Sequence, residues 1–141
     1  MRFGAVSGRA RLGIAAAVLL TGALAYFARP IDPVAIAWVE HAGLESLARG
    51  LHRAREHVYA HVHLPGWFRG AASDFAYAFS LGVLLGNAPR GVIAVGLVVV
   101  LSHEIAQGLG LVAGTFDVVD LVVLCVGFGL ALFLFRPRGA T

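Results

Sequence analysis

Apolar residues run almost unbroken from Leu12 to Ala28, and Arg11 and Arg29 bracket the run. Similar stretches cover about 71–88, 91–111 and 118–135, and Arg136-Pro137-Arg138 closes the last. A bilayer core of about 30 Å needs about 20 mostly apolar residues in helical conformation. The pattern therefore predicts four transmembrane helices. Residues 29–70 break it. Asp32-Pro33 reads as a helix start, and apolar positions recur at Ile36, Val39, Leu44, Leu47, Leu51, Ala54, Val58 and Val62. Glu45, Arg49, His52, Arg53 and Glu56 fall opposite this stripe, and Pro65-Gly66 stops it, with Gly50 a candidate kink. A helix too polar to span belongs in the membrane interface, with Trp38, Trp67 and Phe68 as interfacial aromatics. The expected fold is one domain, an all-α integral membrane protein with four transmembrane helices and an amphipathic interfacial helix between the first and second.

The first segment has a second reading. Arg2, Arg9 and Arg11 resemble a signal-peptide n-region, and Ala23-Leu24-Ala25 resembles a cleavage site. The apolar run is long for such a peptide, which favours a retained helix.

Composition agrees with the pattern. Of 141 residues 59% are hydrophobic and 13% charged, against about 45–50% and about 25% in soluble domains. Mean hydropathy is +0.82. These values exclude a disordered chain, a nucleic-acid-binding domain and a soluble enzyme with a polar shell. All 11 basic residues are Arg. With four spans, both termini share one side with the turn between the second and third helices. That side holds Arg2, Arg9, Arg11, Arg90, Arg136 and Arg138. The arginine bias points to both termini in the cytoplasm.

Acids in apolar helices are costly and therefore informative. Asp74 stands near the outer end of the second helix, and Asp117 and Asp120 open the fourth. Glu104 stands 13 residues past Gly91, about 20 Å along the third helix. Because these helices alternate in direction, all the acids fall in one outer layer. Glu104, Gln107 and Gly108 share a face, and Tyr77 shares one with Asp74. Tyr77 and Gln107 also serve as ordinary interhelical hydrogen-bond partners, and Asp117 as an N-cap. Such a layer either holds some acids protonated or binds a cationic group, with His103 and Arg69 the nearby counter-charges. The ligand-binding candidates are Asp74, Tyr77, His103, Glu104, Gln107, Asp117 and Asp120.

No cofactor or metal is expected. His57 and His61 are spaced i,i+4, yet no Cys or carboxylate completes a metal pattern. The single Cys125 is a packing residue. Gly82-Val83-Leu84-Leu85-Gly86 is a small-xxx-small pattern, read as helix packing and as a surface for a protein partner.

The elements Glu104-Ile105-Ala106-Gln107 and Phe116-Asp117-Val118-Val119-Asp120 resemble the VanZ-like family of small bacterial membrane proteins. Its hallmarks are E-x-x-Q on the third helix and F-D-x-x-D opening the fourth. Ser73-Asp74-Phe75-Ala76-Tyr77 is similar to the family's element at the second helix. The chain departs from the family at Gly114-Thr115, Phe75, Ala78 and Leu124, as a divergent branch would. The resemblance implies a cell-envelope protein whose founding relatives are associated with resistance to the glycopeptide teicoplanin. The acidic layer points to a cationic or hydrogen-bonding ligand, the headgroup of a membrane lipid or of a lipid-linked envelope precursor. The expected function is non-enzymatic. The alternatives are an acid–base enzyme using Glu104 with His103 or Asp120, an accessory subunit, and proton or cation transport.

Overall fold

A computed structural model describes residues 6–28, 34–63, 65–111 and 116–137. Asp32, Pro33, Gly114 and Thr115 lie outside the described residues, as do the side chains of Trp67 and Arg69. The described chain is all-helical: α1 (Gly8–Phe27), α2 (Val34–His41), α3 (Glu45–His61), α4 (Gly66–Leu85), α5 (Arg90–Gly108) and α6 (Val118–Phe135).

Local chemistry sets the helix ends. The Ser7 hydroxyl accepts the Ala10 N–H at 3.3 Å and starts α1. Pro65 and Pro89 stand at the N-caps of α4 and α5. Two helices end alike, on a glycine of positive φ, Gly43 (73°) after α2 and Gly110 (69°) after α5. At each the next two N–H groups turn back onto the last helical turn. Gly43 and Leu44 donate to Glu40 and Val39, while Gly110 and Leu111 donate to Gln107 and Ala106. The 29–70 segment thus holds two helices broken at Gly43, not one helix kinked at Gly50, which lies inside α3. The left-handed backbone that glycine takes without a Cβ penalty explains the difference.

α4 is the central helix, packed along α1 on one side and α6 on the other, with α5 set more loosely against α4 and α6. Glycine registers give the directions. Gly22 of α1 meets Ala76, and Arg11 meets Gly86, so α1 and α4 are antiparallel. Gly127 of α6 meets Phe75, while Gly82 meets Phe128 and Ala131, so α4 and α6 are parallel. A Cβ on Gly82 or Gly127 would stand 2.9 Å from the carbonyl oxygen of Phe128 or Phe75. Only glycine lets these backbones approach so closely. The Gly82–Gly86 face therefore packs against α6 of the same chain.

Two apolar cores result. Ala78, Ile93, Val100, Leu124 and Phe128 fill the junction of α4, α5 and α6. Ala15, Val83, Ala131 and Phe135 fill that of α1, α4 and α6. The Ser80 hydroxyl donates to the Ala15 carbonyl at 3.0 Å across the α1–α4 contact. Outward faces are also apolar: Leu12, Leu20 and Leu24 on α1, Val95 and Val98 on α5, Val122 and Val126 on α6 are all exposed. Water does not tolerate such continuous apolar surface, whereas hydrocarbon does. α1, α5 and α6 are long and apolar enough to cross a membrane. The qualifying apolar part of α4, Gly70–Leu85, is shorter; its first turns carry Gly70, Ser73 and Asp74.

Candidate functional site

The C-termini of α1 and α5 and the N-termini of α4 and α6 share one end of the bundle, and the acids gather there. Glu104, in the last turns of α5, is only 7% exposed. Its carboxylate accepts a hydrogen bond from the backbone N–H of Asp117 across the α5–α6 connection. Its Oε2 is buried without a hydrogen-bond partner. The carboxylates of Asp120 and Asp74 and the ring of His103 lie close enough to act on Glu104 electrostatically.

Each neighbour is held by local structure. Asp117 is the N-cap of α6, and its Oδ1 accepts the Val119 N–H at 2.8 Å. Asp120 follows in the first turn, where the helix dipole favours negative charge. Gly108 leaves room for the Phe116 ring, whose nearest carbon would lie 3.1 Å from a Cβ there. That contact and the Glu104–Asp117 bond join the end of α5 to the start of α6. On α4 the Ser73 hydroxyl donates to the Gly70 carbonyl at 2.9 Å and to Asp74 Oδ1 at 3.3 Å. Gln107 Nε2 donates to the His103 ring Nε2 at 3.0 Å. Tyr77, one turn along α4 from Asp74, is exposed.

The structure thus brings together Asp74, Glu104, Asp120 and the Asp117 backbone around a buried carboxylate, with His103 and Gln107 paired at its edge. Among the described residues no three His, Cys, Asp or Glu side chains are arranged to hold a metal ion. The His57 and His61 rings lie 4.3 Å apart, but His61 Nδ1 donates to the His57 carbonyl and both are exposed.

At the same end an apolar groove of about 740 Å³ opens between α1, α4 and α6. Leu24, Ala25, Val62, Phe68, Phe75 and Val123 are among its walls. Its one hydroxyl, on Thr21, donates to the Ala17 carbonyl at 3.0 Å, leaving an interior suited to hydrocarbon. Phe75 adjoins Asp74 in sequence, and Val123 lies one turn beyond Asp120.

Sequence reasoning took Arg11 for a membrane-border residue, and the structure buries it at the opposite end of the bundle, 4% exposed. Its guanidinium donates to the carbonyls of Val6, Val83 and Phe135, gathering the C-terminal ends of α4 and α6. A Cβ on Gly86 would stand 2.7 Å from its Nη1. The spacing of Arg11 from Gly82 and Gly86 carries no such signal.

Comparison of the chain with protein-family models, with curated proteins and with solved structures finds no match.

Proposed function

We propose that the chain is a four-span inner-membrane protein of the bacterial envelope, a divergent relative of the VanZ-like family, with both termini cytoplasmic. α2 and α3 then lie in the outer interface. The protein acts without catalysis, holding the headgroup of a membrane lipid or lipid-linked wall precursor in an outer-leaflet pocket. The observation that carries this reading is the Glu104 carboxylate, buried among further acids with Oε2 lacking a donor. An unsatisfied buried polar atom costs about 1–3 kcal/mol, so a ligand supplying the missing donor is favoured there. The antiparallel and parallel helix registers support four crossings, and the exposed apolar faces support a lipid surround.

Lipid extracted with the purified protein tests the reading. A defined lipid should be retained by the wild type and lost from Glu104→Gln and from Asp120→Asn at unchanged helicity. Identical lipid profiles in all the proteins would sink it.

A further inference from the structure

We infer that the pocket takes the primary ammonium of a lipid headgroup, with Glu104 Oε2 as its central acceptor and the carboxylates of Asp74 and Asp120 beside it. The inference rests on the headgroup-pocket reading and names the chemistry of its ligand.

Charge decides the sign of the ligand. Asp74 of α4 and Asp120 of α6 each lie close enough to Glu104 of α5 to act on its charge. An anionic group among them would add to their repulsion, and a cation would relieve it. The acids alone would not indicate a site. The second observation is Oε2 itself, on a side chain more than nine-tenths buried, with no donor offered to it. A donor bearing positive charge forms the stronger type of hydrogen bond to a carboxylate.

Size decides the kind of cation. Asp74 and Asp120 act on Glu104 at a distance, yet no three carboxylates are disposed to ligate a metal ion among the described residues. Metal–oxygen bonds need about 2.0–2.6 Å, whereas an ammonium donates to oxygens at about 2.7–2.9 Å and directs three N–H groups to separate acceptors. A trimethylated ammonium has the charge but no N–H for Oε2.

The surroundings decide the source. Exposed Leu109, Phe116, Val118 and Val119 border the cluster, and the apolar groove opens at the same end of α4 and α6. Apolar borders admit an amphiphile from the bilayer and discourage a small hydrophilic amine from water.

The test uses the full chain in nanodiscs made with matched acyl chains, and native mass spectrometry after release. Phosphatidylethanolamine, phosphatidylcholine and phosphatidylglycerol are offered in equal amounts. Wild type should retain phosphatidylethanolamine at least about tenfold over each of the others, as loss of a charged hydrogen bond implies. Glu104→Gln and Asp120→Asn should lose that preference. Acid-dependent retention of all three lipids alike would overturn the ammonium inference while leaving the headgroup pocket standing. Failure to retain any lipid would overturn both. Displacement of phosphatidylethanolamine by millimolar free ethanolamine would overturn the lipid source. The lipid series on wild type alone remains decisive if a variant does not fold.

Discussion

Arg11 and Glu104 are the buried charged side chains among the described residues, and they stand at opposite ends of the bundle. Burying an ion costs several kcal/mol unless its hydrogen-bonding groups are met. Arg11 meets that demand. The parallel helices α4 and α6 both end beside it, where their last carbonyls form negative dipole ends. Glu104 meets it only in part, through the Asp117 N–H, and this asymmetry is what sets the charge we propose to bind a ligand apart from the structural one. Replacing Arg11 with Met should lower stability by about 2–3 kcal/mol, seen as a lower melting temperature in detergent, with Lys restoring part of the loss. An unchanged melting curve would show the guanidinium to be dispensable. The acids of the cluster were legible in the sequence, because carboxylates in apolar helices have few ordinary explanations. Arg11 was not, because an arginine flanking an apolar run has a common one.

At the level of elements, close helix approach governs the bundle. Gly82 and Gly127 allow α4 and α6 to touch backbone to backbone, and Gly129, with open space around its Cβ position, has no such role. Gly82→Leu should therefore separate the helices, at a cost above the about 1–3 kcal/mol of ordinary overpacking. Gly129→Leu, the control on the exposed face of α6, should leave the melting temperature unchanged. Equal melting of both variants would show that the Gly82 contact does not hold the bundle. The small-xxx-small spacing was legible, but its partner was not, since spacing marks a close contact without saying what makes it. The same holds in the 29–70 segment. The apolar stripe crosses Gly43 with its phase intact, so periodicity did not reveal the break; the Ala42-Gly43 step after α2 was the available signal.

For the whole molecule, the helix directions sort charge between two ends. Arg11, Arg90 and Arg136 stand at one, and Asp74, Glu104, Asp117 and Asp120 at the other, where α2 and α3 also join. In the proposed orientation the acid end faces outward. With Cys125 replaced by Ser, a cysteine at His63 should react with an impermeant maleimide in intact cells. One at Asn87, in the turn between α4 and α5, should react only after permeabilisation. The reverse pattern would invert the topology, and labelling of both in intact cells would exclude α4 as a span. Sequence alone determined the helical, membrane-compatible class, the start of α6 at Asp117 and the shared level of the acids. These follow from local periodicity, capping and chain direction, which neighbouring residues specify. Only the tertiary structure decided that Glu104 is buried with an unmet oxygen, that Arg11 closes the far end, and that Gly82 packs within the chain. Those depend on which helix faces meet, and that is settled by the fit of surfaces distant in sequence.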